Sequence, residues 1–191
     1  MKSEKLLTNK SLYFDDVKIL KPNIFEDKRG YFYESYNKFK FDSEVKDTIF
    51  CQENHSFSKK NVLRGLHYQL EPYSQAKFVE CLVGKVYDVI VDLRKNSTTF
   101  LNWGGVELSE ENHKQIWIPE GFAHGFYTLT DKAHLIYKVN NFWNKDSERT
   151  IIWDDPSLSI NWVELEYKPI LSDKDLQGKK IKDLSAKDFF K

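Results

Sequence analysis

The chain has 191 residues with 29 basic and 29 acidic side chains, so no net charge draws it toward nucleic acid or an anionic membrane. No stretch approaches the roughly 18 uninterrupted apolar residues of a membrane-spanning helix, and the opening MKSEKLLTNKS lacks the apolar segment of a signal peptide, which predicts a cytoplasmic protein. Cys51 and Cys81 have neither CxxC spacing nor the number of a disulfide scaffold, and both are expected as small core residues.

Aromatic residues make up 15% of the chain against 8 glycines and 5 prolines, a balance that suits half-buried strands. In chain order, the pattern predicts strands at Tyr31–Tyr36, Ile49–Phe57 and Val62–Leu70, with a helix over Asn37–Asp47. KFVECLVGKVYDVIVDLR (77–94) then reads as two apolar runs flanking Gly84-Lys85, a Gly-X turn of the kind that closes hairpins. Its second run sets Tyr87, Val89, Val91 and Leu93 on one face. Further strands follow at Phe100–Leu108, Gln115–Ile118, Gly125–Leu129 and Ala133–Val139, and a helical segment is expected over Leu171–Phe190. Many short strands at such spacing indicate a mainly β sandwich or barrel. Without a repeat or a linker, residues 1–191 read as a single domain.

Three stretches carry groups capable of chemistry. In VLRGLHYQL (62–70) a histidine sits inside a strand-like run, where residues 65, 67 and 69 share one face and Arg64 takes the other unless a bulge intervenes. Metal-binding cupin barrels place HxH on one strand, but this strand reads His67-Tyr68-Gln69. The histidines at 55, 67, 113, 124 and 134 are scattered singly, so no metal is expected. Acid–base work needs a base near neutral pKa, an acid for the opposite face and a cation where negative charge develops. Taken alone, His67 is more often a satisfied core histidine than a base. WIPEGFAHGFYTL (117–129) adds His124 after a Pro-Glu-Gly turn, and FEDKRGYFYESYN (25–37) brackets an aromatic group with Arg29 and Glu34. Their bland readings are a loop leading to a core strand, and a solvated surface hairpin.

The joint occurrence of FEDKRGYFYESYN, CQENHSFSKKNVLRGLHYQ, VGKVYDVIVDLRKNSTTF and IWIPEGFAHGFYTL in this order resembles the dTDP-4-dehydrorhamnose 3,5-epimerases of the cupin superfamily, from about Val17 to Asp175. The resemblance implies a metal-independent, cofactor-free cupin jelly roll that assembles as a homodimer. It also implies inversion of carbons 3 and 5 of a dTDP-linked 4-keto-6-deoxyhexose. Both carbons flank the C4 ketone, so loss of either proton gives an enolate with its charge on the C4 oxygen. By motif match His67 is the base, Asp175 in LSDKD its carboxylate partner, Tyr137 in LIYK the acid and Lys77 in SQAKFVE the cation beside the enolate. Arg29 and Arg64 suit the diphosphate because guanidinium offers paired donors. Glu34, Gln52, Glu53 and Asn54 match nucleotide-contacting positions, Phe32 a stacking position, and His124, Glu148 and Lys174 further binding positions. In such dimers the N-terminal segment completes the neighbour's site, which puts Arg29 and Glu34 at the other subunit.

Two departures stand out. Phe142 in NNFWN replaces a commoner tyrosine, and Glu53 replaces a commoner aspartate. The leading reading is a double epimerase feeding L-rhamnose synthesis for a surface polysaccharide. Its nearest rival inverts one centre only, on the same sugar or on another nucleotide-linked 4-keto sugar such as a GDP-heptose. A noncatalytic sugar-nucleotide binder and a metal-dependent cupin oxygenase are the readings from other classes.

Overall fold

The computed structural model describes residues 2–45, 48–163, 165 and 168–191. Its strands are Lys2–Leu7 (β1), Tyr13–Lys21 (β2), Phe25–Asp27 (β3), Gly30–Phe32 (β4), Gln52–Lys59 (β5), Leu63–Gln69 (β6) and Lys77–Val83 (β7). Lys85–Asp92 (β8), Trp103–Ser109 (β9), Gln115–Ile118 (β10), Phe122–Thr128 (β11), Lys132–Val139 (β12) and Glu148–Thr150 (β13) follow. The helices are Lys38–Glu44 (α1) and Asp173–Leu176 (α2). A six-stranded sheet, β1-β2-β10-β7-β12-β5, faces a five-stranded one, β13-β6-β11-β8-β9, and every pairing within them is antiparallel. This is the sandwich that the short, turn-punctuated strands predict, in the jelly-roll form that the family resemblance implies. No helix among the described residues is long and apolar enough to cross a membrane.

Alternation along the strands builds two apolar layers. Phe14, Ile19, Val79, Val86, Ile90, Leu108, Ile116 and Phe126 pack between the sheets. Residues of opposite parity on β8, Val89 and Val91, with Leu93 just beyond it and partly buried Tyr87, join Leu63, Leu66, Tyr68 and Tyr127 in a second cluster closed by Trp162, Ile181 and Phe190. Each fully buried side chain of this size stabilises the fold by about 1.5–3 kcal/mol. The C-terminal segment is thereby a cover for the five-stranded sheet.

Several expectations are corrected. Gly84-Lys85 does not close a hairpin, since β7 and β8 lie in different sheets and the turn carries the chain from one to the other. Gly84 has φ +76°, and a Cβ there would lie 2.0 Å from the Lys132 carbonyl oxygen, so the corner demands glycine as strictly as a hairpin would. The segment 171–190 holds the short α2 and two single-turn 3-10 helices, Ile181–Asp183 and Ala186–Asp188, rather than one continuous helix, because it is pinned by bridges of Lys179 to Ile151 and Phe190 to Arg94. The first predicted helix spans Lys38–Glu44, with the Asn37 side chain accepting from the Lys40 amide; the end expected at Asp47 lies outside the described residues. Cys81 is buried, whereas Cys51, just before β5, is exposed.

Candidate active site

On the inner face of the five-stranded sheet, β6 carries one extra residue. His124 of β11 lies opposite His67 and Phe126 opposite Arg64, so two residues of β11 span three of β6. The bulge centres on Gly65, at φ +126°, where a Cβ would come within 2.5 Å of the Gly125 Cα. Two glycines thus let the strands touch, and Arg64 is returned to the side of His67. Its Nε donates to Ser58 Oγ at 3.0 Å and its Nη2 to the Phe57 carbonyl at 2.9 Å, both on β5 of the facing sheet.

His67 donates from Nε2 to Asp175 Oδ1 at 2.5 Å, which leaves Nδ1 to accept a proton. The other oxygen of Asp175 accepts from Ser172 Oγ at 2.8 Å, and Ser172 also caps α2. Burial lowers the pKa of His67 below its ordinary value although Asp175 pulls the other way. Burial also works against ionising Asp175, but the hydrogen bonds from His67 and Ser172 outweigh it and hold the carboxyl below the usual range. The pair therefore rests as neutral imidazole and carboxylate, ready to take a proton.

Lys77, at the start of β7, is 9% exposed, and among the described residues its Nζ meets only the His67 carbonyl, at 3.4 Å. Burial pushes it down to about 8, with Asp88 opposing that fall. Tyr137 lies on β12 between Asn54 of β5 and Val79 of β7. Burial raises its phenol above the usual value, so it keeps its proton at neutral pH. His67, Lys77 and Tyr137 line one cavity with Gln52, Asn54, Gln69, Gln75, Trp143 and Glu148. Its volume of about 170 Å³ is below the roughly 300–1,000 Å³ of whole-ligand sites, enough for a small polar ring but not for a ring with a long anionic tail. Among the described residues, no group of three or more His, Cys, Asp or Glu side chains could hold a metal ion.

A family model described as dTDP-4-dehydrorhamnose 3,5-epimerase matches residues 11–183. The chain belongs to the dTDP-4-dehydrorhamnose 3,5-epimerase family. It is similar to the Shigella flexneri enzyme of that name, 55% identical over 169 residues that cover 88% of this chain and 92% of the relative. The Pseudomonas aeruginosa enzyme is 48% identical over 173 residues, covering 90% and 94%. Among solved structures, the dTDP-6-deoxy-D-glucose-3,5-epimerase of Legionella pneumophila, in complex with dTDP-4-keto-L-rhamnose, superposes with a TM-score of 0.91. The two are 41% identical, with coverage of 100% of this chain and 98% of that one. The membership expected from the four motifs is thus shown, and with it an epimerase acting on dTDP-sugars.

Other residues singled out by the resemblance to this epimerase family fall into two groups. Glu148 lines the cavity and accepts from Lys174 Nζ at 2.9 Å, so both stand at its rim. Gln52 and Asn54 also line it, whereas Glu53, of opposite parity on β5, turns away and pairs with Lys138. His124 lies deeper, its Nε2 donating to Asp88 Oδ2 at 2.8 Å. Arg29, Phe32 and Glu34 belong to the segment around the β3–β4 hairpin and do not line the cavity. Arg29 is clasped by Asp27, Glu34 bonds Lys40 and Asn37, and Phe32 is 67% exposed.

Sequence reasoning missed Gln69, Gln75, Trp143 and Asp88. Gln69 donates to the carbonyls of Tyr73 and Phe142 and accepts from the Asn144 amide, tying the NNFWN loop to β6. Its parity with His67 was the available signal. Asp88 could have been noticed as an acid inside the apolar run VYDVIV.

Proposed function

We propose that the chain inverts C3 and C5 of dTDP-4-dehydro-6-deoxy-D-glucose to give dTDP-4-dehydro-L-rhamnose, with His67 as base, Asp175 as its partner, Lys77 as enolate stabiliser and Tyr137 as acid. The observation that carries this reading is the cavity walled by His67 of one sheet and Tyr137 of the facing one, with Lys77 lining it beside them. Nδ1 of His67 takes the proton from a carbon next to the ketone, the C–H electrons move into the ring, and the charge develops on the C4 oxygen. The Lys77 ammonium meets that charge in a dry site, where such a group is worth several kcal/mol. Tyr137 then delivers its proton to the opposite face of the same carbon; His67 loses its proton to solvent and Tyr137 regains one, and the second centre is treated alike. Because both protons are acidified by one ketone, a single set of groups serves both carbons.

The cavity accommodates the sugar, and the dTDP leads out past Glu148 and Lys174. Arg64 offers its guanidinium to the diphosphate. The exposed Arg29, Phe32 and Glu34 suit a homodimer in which each N-terminal segment completes the neighbour's site. A substrate built on a nucleoside diphosphate fits a cytoplasmic enzyme that feeds L-rhamnose and polysaccharide synthesis. Phe142, 60% exposed and next in the chain to the cavity-lining Trp143, is the residue that favours a single-centre epimerase as the second reading. Borohydride reduction of the product tests the proposal: L-rhamnose and 6-deoxy-L-talose are expected, and recovery of D-sugars alone contradicts it.

A further inference from the structure

The arm that joins β2 to α1 has little of its own to hold it in place. Its hairpin, β3–β4, pairs with itself and belongs to neither large sheet. Every residue of its two strands is exposed, and an isolated two-stranded ribbon is marginal in water. Two polar side chains of the six-stranded sheet supply the hold. Val79 and Cys81 of β7 and Ile116 and Ile118 of β10 pack between the sheets, so Glu80 and Gln115, of opposite parity, stand on the outer face, directly opposite each other in register. They are nonetheless 5% and 0% exposed, because the arm lies over them.

Both oxygens of Glu80 are engaged beneath the arm. Oε1 accepts from the Tyr33 hydroxyl at 2.6 Å and Oε2 from Gln115 Nε2 at 3.0 Å. The same Gln115 nitrogen donates to the Ser35 carbonyl at 2.7 Å, which leaves Gln115 Oε1 buried without a hydrogen-bond partner among the described residues. An orphaned buried acceptor costs free energy, and here it follows from turning the amide nitrogen toward the arm. Tyr31 and Tyr33 add ring contacts with His113, at 4.8 and 5.1 Å between centroids. Beside these contacts a cavity of about 270 Å³, lined by Ser35, Tyr36, Phe78, Glu80, Leu82 and Ile136, opens between arm and sheet, so apolar packing does not continue across the seat. Phe32 and Glu34, which alternate with Tyr31 and Tyr33, are exposed.

We infer that Glu80 is a positioning residue for the nucleotide: with Gln115 it seats the arm so that Arg29, Phe32 and Glu34 are presented in one fixed place to the dTDP end of the substrate. For this consequence the inference rests on the proposed nucleotide role of those three residues; the seating of the arm by Glu80 does not.

The seating is read without substrate, by hydrogen–deuterium exchange of the full-length protein followed on peptides covering residues 25–36. Glu80→Ala removes both acceptors. Tyr33→Phe removes one hydroxyl and keeps the ring, and it serves the same measurement if the alanine variant does not fold. Amides of the arm should exchange at least about fivefold faster in either variant, while those of β8 and β11 keep the wild-type rate. Adding Tyr33→Phe to Glu80→Ala should change little further, since both substitutions break the same hydrogen bond. Arm exchange at the wild-type rate in both single variants overturns the inference.

The consequence for the nucleotide is read from calorimetric binding of dTDP and from steady-state rates. In Glu80→Ala the Kd for dTDP and the KM for the sugar nucleotide should both rise about tenfold, with kcat within about twofold of the wild type, because the groups around His67 are untouched. A fall in kcat with Kd and KM unchanged would mark Glu80 as merely structural and overturn its positioning role. Arg29→Ala and Phe32→Ala, made singly, tell the two failures apart. If they weaken dTDP binding and Glu80→Ala does not, the inference fails while the nucleotide role of the arm stands. If none of the three weakens it, that nucleotide role fails, and the exchange measurement alone decides the seating.

Discussion

His67 and Asp175 stand 108 residues apart in the chain and share a hydrogen bond of 2.5 Å. The carboxylate is fixed at the first turn of α2 by Ser172, which both caps the helix and donates to the second oxygen. A short helix otherwise of little consequence thereby sets the tautomer of a strand histidine. Replacing Asp175 by Asn should lower the rate of proton abstraction by about 10²–10⁴-fold, since the imidazole loses both its orientation and the charge that stabilises its protonated form. His67→Ala should abolish exchange. Calorimetric titration with dTDP should find nucleotide binding kept in both variants, and exchange at the wild-type rate in His67→Ala would remove it from the role of base.

Tyr137→Phe should separate abstraction from inversion. The phenol is held protonated by burial, so its part is to give a proton rather than take one. Deuterium should still enter the substrate from heavy water within about tenfold of the normal rate, while inverted product falls by about 100-fold. Normal inversion in this variant would assign the acid to another group.

Activity should trace a bell against pH, and the signs follow from two groups. Burial lowers His67, so the base stays neutral and active down to a pH below the ordinary imidazole value, and the acid limb lies under 6.5. Lys77 works as a cation, and its proton is lost as pH rises through about 8, which sets the alkaline limb there. An alkaline limb near the ordinary lysine value of 10.5 would show that Lys77 is not buried as described.

The contact of Gly65 with Gly125 makes a stability claim. Gly65→Ala would place a methyl 2.5 Å from the Gly125 Cα and force an alanine to φ +126°. The expected cost is about 2–4 kcal/mol, the sum of overpacking and backbone strain. Thermal unfolding should show the loss directly, and a variant as stable as the parent would mean that β6 and β11 can separate freely.

Much of this was legible from periodicity. Strands β5 to β12 announce themselves as short runs between turn residues, and the parity of 65, 67 and 69 placed His67 and Gln69 on one face, with the bulge needed to bring Arg64 beside them. The strands β1 and β2 were not visible, because KSEKLL and YFDDVKILK interleave charges where the sheet edge is wet. Gly84 misled because a hairpin and a crossing between sheets both ask glycine for positive φ. Nor could spacing show that Asp175 reaches His67, a contact made only once the C-terminal segment lies over the five-stranded sheet. Asp88 was passed over for the opposite reason, since a lone acid in an apolar run has no local partner to draw attention to it.

The most direct test of the account is proton NMR of dTDP-4-dehydro-6-deoxy-D-glucose incubated with the enzyme in deuterium oxide. Deuterium at both C3 and C5, with the L-configured product, is the expected result. Deuterium at one carbon alone would contradict the double inversion and point to Phe142, and no exchange at either would contradict the base assigned to His67.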